Sequence, residues 1–340
     1  MWPRFPIQTM TPLITLPNEQ SLHAGLPLQT ISSPALRSHH KSRAEGSSEW
    51  EVTRPSLKMF AKVAPILVRM PGLFLVTPSG TRRPFDVTHE TQDMTVRLVG
   101  SEQLSVGDLE VLLCLIALAG AQSDESYRTT KRYTGRDSVT RMRQMLGRGI
   151  GVRTTYTELA RELGRSAGGA TWPFIRDSIT RLSGVWVTAR SHCGEEVDSA
   201  LLHRSAQDAD SRGSVALTLC PVLAAGVLGG PGEFIQVDMN PVRALKGGTG
   251  VACALYFRLH GRYADQDHTI PIDSLVELAY GRRISPASLS KYRSRVRNAV
   301  QAIAGLSYWK VESKERGMFS FRRSSKKMVA TAKSEASMNP

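Results

Sequence analysis

A local order that occurs twice constrains this chain more than any other feature: a short helix, a tight turn, a second helix, then strands joined by a polar tip. In the first occurrence, TYTELARELG from Thr155 puts Leu159 and Leu163 on one helical face, and GRSAGG supplies the glycines of a helix–helix corner. A second helix, 171–182, carries Trp172, Ile175, Ile179 and Leu182 at i, i+3, i+7 and i+10. Pro173 falls in its first turn, where a missing N–H costs little. Strands are expected at 185–189, near Leu201 and at 214–219.

The order returns after Gly232. A strand at 233–238 and a helix at 250–263, with Ala252, Leu255, Tyr256, Leu259 and Tyr263 on one side, lead into it. DSLVELAYG, with Asp273 as N-cap candidate, passes through RRISP into a long helix, 285–306. Strands at 308–312 and 318–322 then flank a basic turn, Ser313-Lys314-Glu315-Arg316-Gly317. Helix, turn, helix and hairpin is the winged-helix order. The sequence therefore predicts an α+β chain with two tandem winged-helix domains behind a disordered N-terminal leader.

The boundaries follow from composition. Residues 1–92 hold 11 of the 18 prolines, and 34–54 has neither a period of 2 nor one of 3.6. Such a stretch cannot bury enough apolar area to offset chain entropy, so 1–92 reads as mostly disordered. The exception is 56–70, a short amphipathic helix broken around Pro65. Order is expected near Thr95 with a strand, TVRLV. Ser105 is then an N-cap with Asp108 at N3, Leu104 and Leu109 form a staple, and Gly120 ends the helix. The first domain spans 93–232, closing on the GGPG turn. The second spans 233–323, and 324–340 is a basic, disordered tail. Within the first domain, the loop 123–153 carries eight basic residues against three acids. It reads equally as a phosphate-contacting loop or a solvated linker.

Charge narrows the partner. Forty-four Lys+Arg against 30 Asp+Glu give a net charge of +14, which points to a polyanion, either nucleic acid or an acidic membrane surface. Aromatics at 6% argue against base stacking as the main binding device. The longest nearly unbroken apolar run, Val111 to Ala121, is about half the ~20 residues a membrane helix needs. The first fifteen residues show no charged start followed by an apolar core, hence no secretory signal. Cys114, Cys193, Cys220 and Cys253 are widely spaced, so neither a zinc site nor a disulfide framework is expected, and the thiols read as reduced.

The long helix at 285–306 carries the binding chemistry. At 100° per residue, Tyr292, Val296, Val300 and Ile303 share the Leu289 face, which buries. The opposite face presents Lys291, Ser294, Arg295 and Asn298, with Arg297 and Ser290 to one side, and Arg293 completes a basic set without one acid. A solvated face usually mixes signs. As the second helix of a helix–turn–helix it would enter the major groove, where Arg can pair bidentately with guanine and Asn with adenine. Lys314 and Arg316 in the basic turn of the hairpin are further DNA-binding candidates. The first unit exposes Arg176, Asp177, Thr180 and Arg181, and its hairpin holds Glu195, Glu196 and Asp198. It is expected to pack, position or self-associate as a homodimer, with Arg176 and Arg181 as backbone contacts.

No enzyme signature stands out. There is no His-x-His for metal-dependent nicking, His39-His40 falls in the leader, and no G-x-x-x-x-G-K-[ST] marks an ATPase. Tyr292 beside Arg293 and Arg295 superficially suits a nucleophile, but it lies on the buried stripe. No catalytic residue, metal or cofactor is expected.

The chain also resembles the IncQ-type plasmid replication initiators, the replication protein C family. The matching segments are PGLF from Pro71, LSVGDLEVLLCLIALAG, YTELARELG, GGATWPFIRDSITRLSGVWV, VALTLCPVLAAGVLGG, IQVDMNPVRAL, LYFRLHGRYAD and SKYRSRVRNAV. They run in one order from about Pro71 to Arg323. The resemblance implies tandem winged helices, binding to double-stranded DNA with direct repeats (iterons), origin opening, cooperation with a plasmid helicase and primase, and a bacterial cytoplasmic location. It also implies a basic first hairpin, from which Glu195, Glu196 and Asp198 depart. A transcriptional repressor of the same architecture at a promoter, and a basic protein of the membrane surface, are the other readings.

Overall fold

The computed structural model describes residues 60–76, 82–91, 94–127, 149–192, 194, 196–204, 213–229, 234–245, 250–261, 264–282 and 284–324. Most of the expected leader, most of the basic loop and the tail beyond 324 lie outside the described residues.

The described chain opens with β1 (Phe60–Val63), α1 (Pro65–Arg69) and β2 (Phe74–Leu75), followed by β3 (Phe85–Glu90), β4 (Met94–Gly100) and β5 (Leu104–Ser105). Helix α2 (Val106–Tyr127) comes next, then β6 (Ile150–Thr155), α3 (Tyr156–Glu162) and α4 (Thr171–Ser183). Four strands follow: β7 (Val185–Ser191), β8 (Glu196–Ala200), β9 (Leu202–Arg204) and β10 (Ser214–Leu219), ahead of α5 (Pro221–Leu228). The second half contains β11 (Ile235–Asp238), α6 (Met239–Ala244), α7 (Val251–Leu259), β12 (His268–Pro271), α8 (Ile272–Tyr280) and α9 (Pro286–Ala304). It closes with β13 (Trp309–Lys314), a 3-10 turn at Glu315–Gly317 and β14 (Met318–Arg323). Helices and small sheets are mixed throughout, an α+β arrangement.

Helix α2 is the centre of the packing. Leu109 and Val111 through Ala119 are all buried, so the helix is apolar on every side. Its window 106–123 is apolar enough by length and composition to cross a membrane, yet 78% of it is buried against the rest of the chain, including β1, α4, α5 and β6. The capping expected at its start forms: the Ser105 N–H donates to Asp108 Oδ2 at 2.7 Å, and the Asp108 N–H to Ser105 Oγ at 3.4 Å. The helix passes Gly120 and runs on to Tyr127, so that glycine does not end it.

Order also begins well before Thr95. Strand β1 pairs antiparallel with β11, Ala61 opposite Val237, and Ala61, Val63, Leu67, Met70, Leu73 and Phe74 are buried. Within the expected helix at 56–70, Phe60–Val63 is thus a strand and, among the described residues, only Pro65–Arg69 is helical. The partner of this strand lies some 175 residues away in sequence, so no local pattern could announce it. This ladder also ties the two sides of the expected boundary at 232/233 together. Gly226 on α5 faces the same segment closely: a Cβ there would lie 2.4 Å from the Ala64 nitrogen.

The larger sheet has the order β3-β4-β7-β8, a second is β6-β10-β9, and a third is β12-β14-β13. The strand expected near Leu201 is split between the first two. Strand β8 stays on β7 and β9 pairs with β10, while the Leu201 N–H donates to the Val185 carbonyl at 2.8 Å.

Candidate nucleic-acid interface

Helix α9 starts at Pro286, whose missing N–H suits the first turn, and Gly305 follows its last residue. Val296, Ala299, Val300 and Ile303 are buried, and Leu289 and Tyr292 pack partly buried against the core. Tyr292 stacks on Tyr280 of α8 with ring centroids 4.1 Å apart and planes 21° apart, which fixes the helix–turn–helix crossing. Its place on this apolar stack makes it a packing tyrosine.

The opposite face reaches solvent. Ser290, Lys291, Ser294, Arg297 and Asn298 are exposed, and Arg295 is half-buried. Arg293 differs from its neighbours. Its Nε donates to Asp273 Oδ1 at 2.6 Å and its Nη2 to Oδ2 at 2.7 Å, a bidentate pair joining α9 to α8. The hydrogen bond from Arg293 lowers the pKa of Asp273, and the same bond raises that of Arg293. Asp273 is therefore not the expected N-cap: Pro271 holds that position, and the carboxylate instead fixes the approach of the two helices.

The hairpin beside α9 is built on β13 and β14, in register from Trp309 opposite Arg323 to Lys314 opposite Met318. Arg316 sits at φ +57° and Gly317 at φ +71°, so the tip turns through two left-handed residues. That conformation is easy for Gly317 and unusual for Arg316. Lys314 and Arg316 are both exposed. Three further exposed cations on neighbouring elements were missed in the sequence: Arg282 at the corner between α8 and α9, and Lys310 and Arg322, which sit opposite each other on the hairpin. The alternation of WKVESK with FSFRR was the signal that placed the last two on one face. Lys310 is tethered at 2.7 Å to Glu312.

Beneath the hairpin lies a buried polar cluster. The Tyr256 and Tyr308 hydroxyls are 2.5 Å apart, and the Tyr256 carbonyl accepts from His260 Nδ1 at 2.7 Å. Burial first, and then the Arg323 charge, lower the His260 pKa to about 3, so this ring is neutral.

The first unit has the same element order and a different use of charge. Arg181, expected on the surface, donates through Nε at 3.0 Å and Nη2 at 2.7 Å to Oδ1 of Asp108, whose side chain is 0% exposed. It is a core strut and not a backbone contact. Arg82 reaches the other oxygen of the same carboxylate at 2.8 Å. Burial pushes the Asp108 carboxyl up, but the hydrogen bonds from Arg181, the Ser105 N–H, Arg82 and the Ser105 hydroxyl together hold it below the ordinary value. Arg165 binds Glu110 at 2.9 Å and Arg243 binds Glu162 at 2.7 Å. Arg176 is exposed on α4 beside Asp177 and Thr180. On the hairpin, Glu196 pairs with Arg190 at 2.7 Å and Asp198 accepts from Thr188 at 2.5 Å, while Glu195 lies outside the described residues.

Residues 57–325 match the family described as Replication protein C (RepC). In three dimensions the chain is similar to the crystal structure of selenomethionine derivatives of domain 2 and domain 3 of RctB. The TM-score is 0.50 at 14% identity, over 77% of this chain and 99% of that one. A second crystal structure of RctB domains 2–3 aligns with a TM-score of 0.46 at 11% identity, over 76% of this chain and 95% of the other. No curated protein matches the chain by sequence.

Proposed function

The chain belongs to the replication protein C family of plasmid replication initiators, and from that premise we propose that it initiates replication by reading repeated sites in double-stranded DNA through α9. The observation that carries this reading is the asymmetry of that helix. One side is locked into the protein by Tyr292, Val296, Val300 and Ile303, and the other exposes Ser290, Lys291, Ser294, Arg297 and Asn298 beside a cationic hairpin. In this reading the α3–α4 and α8–α9 pairs, each followed by a hairpin, are two winged helices, and α9 is the element that enters the major groove. Lys291, Arg297 and Asn298 meet base edges, while Lys314 and Arg316 hold phosphates. Arg293 orients the helix through Asp273, and Arg295 lies at its flank. Arg176 of α4 supplies a phosphate contact at the periphery.

The protein so understood acts in the bacterial cytoplasm by binding and deforming DNA, without covalent chemistry of its own. Opening of the adjacent duplex then delivers a strand to a plasmid helicase and primase.

Footprinting on the parent plasmid tests the reading. Protection of tandem direct repeats, with permanganate-reactive thymines appearing next to them, is the expected result. Protection of one palindromic promoter site without melting would instead identify a repressor. Equal retention on anionic vesicles and on every duplex would remove sequence recognition altogether.

A further inference from the structure

A buried arginine stands away from the DNA-facing helix. Arg258, near the end of α7, is 6% exposed, and no carboxylate pairs with it among the described residues. Its Nη1 donates to the carbonyls of Leu67 at 3.2 Å, Val68 at 3.1 Å and Met70, the last turn of α1. That half of the guanidinium is a strut between α1 and α7. The other half is not used: Nη2 is buried and has no hydrogen-bond partner among the described residues. A buried cationic donor left in this state is costly, and its persistence calls for a ligand or ordered solvent. Burial lowers the Arg258 pKa to about 10.

The same residue lines a cavity of about 350 Å³. Its walls are Val68 and Arg69 from the α1 segment, Arg258, Leu259 and Gly261 at the end of α7, His268 on β12 and Leu278 on α8. Among the described residues this wall holds two arginines, one histidine and no acid. The Arg69 charge also extends to His89, whose pKa is lowered first by burial and then by that arginine. Three aliphatic side chains, Val68, Leu259 and Leu278, make the remainder apolar. An apolar cleft of this size with a few convergent polar groups is the usual form of a small-ligand site.

We propose that this cavity binds a small organic phosphate, with Arg258 and Arg69 holding the phosphoryl oxygens and Val68, Leu259 and Leu278 covering the apolar body. Two guanidinium groups match a dianion better than a single carboxylate. Because Leu278 belongs to α8 and His268 to β12, an occupant would touch the elements that carry α9 and the hairpin. The site is independent of the DNA reading given above.

Inorganic phosphate and adenosine monophosphate, titrated calorimetrically into the full chain without DNA, are the probes. Saturable binding of one equivalent is expected, tighter for the nucleotide. Two variants control it: Arg69→Glu, at an exposed position, and Leu278→Trp, which fills the cavity from α8. Each should weaken binding by at least about tenfold while leaving the circular-dichroism unfolding curve in place. Absence of saturable binding, or binding that both variants leave unchanged, overturns the proposal. If instead Arg69→Glu weakens duplex binding and neither free phosphate is bound, the phosphate belongs to the DNA backbone and the small-ligand site is wrong.

Discussion

The two helix–turn–helix units of this protein share an element order and differ in where their arginines go. In the α3–α4 unit, Arg165 and Arg181 run inward to Glu110 and Asp108, and the hairpin exposes acids already engaged by Arg190 and Thr188. In the α8–α9 unit, one arginine, Arg293, is drawn back to Asp273, while Lys291, Arg297, Lys314 and Arg316 stay at the surface. The order of elements alone therefore does not decide which unit meets DNA. Carboxylates in the core of the first unit neutralise cations that the second unit leaves available to a polyanion.

The comparison breaks most severely at Asp108. Asp108→Ala strands Arg82 and Arg181 inside the protein, with an expected loss of about 3–5 kcal/mol in chemical denaturation. A loss no larger than that of an average surface substitution would show that Arg181 is not a core strut.

Next in size is the base-reading face. Lys291→Ala should weaken binding to the cognate repeat by ~1–3 kcal/mol and to random duplex by much less. Arg176→Ala on α4 should weaken both duplexes alike, and less. Equal effects on both duplexes for Lys291→Ala would reduce it to a phosphate contact. Arg295→Ala, at a half-buried position, should fall between the two.

Acid sensitivity sharpens the contrast from another side. His260 titrates near pH 3 in the folded chain and near ~6.5 when unfolded. Its contribution to stability is complete above the unfolded value. As pH falls from there toward 3 the unfolded chain takes up the proton first, so stability declines by at most about 1.4 kcal/mol per pH unit. His260→Asn, which keeps a donor toward the Tyr256 carbonyl, should flatten this part of the stability profile. An unchanged profile would mean that the imidazole is not held neutral under the hairpin.

The smallest effect is expected at Asp273. Asp273→Asn releases Arg293 and removes a negative charge beside α9, so affinity for any duplex should rise by about twofold at low salt and converge with the parent at high salt. A fall in affinity would show that the Asp273–Arg293 pair matters more for holding the helix crossing than for restraining the arginine.

The sequence displayed some of these features and hid others for physical reasons. The stripe from Leu289 to Ile303, the Ser105–Asp108 cap and the hairpin around Gly317 are written in local spacing, and they form as read. Arg181 was misplaced because helical periodicity puts it at the edge of the solvent face, and the carboxylate that captures it is 73 residues away in sequence. Strand β1 was missed because prolines before and after it set the composition of the window, and its partner β11 is farther away still in sequence. Asp273 looked like a cap because its type and place fit one; the competing partner, Arg293, lies 20 residues on. Errors of this kind cluster where a long-range ion pair or ladder overrides a local preference.

Photocrosslinking from the two helices compares the units most directly. A photoreactive side chain placed at exposed Ser294 on α9, or in a second chain at exposed Thr180 on α4, is irradiated on duplex carrying the direct repeats. Base-specific adducts inside each repeat from position 294, with only weak or backbone-distributed adducts from position 180, are predicted. Adducts within the repeats from position 180 and none from position 294 would contradict the assignment of α9 as the reading helix.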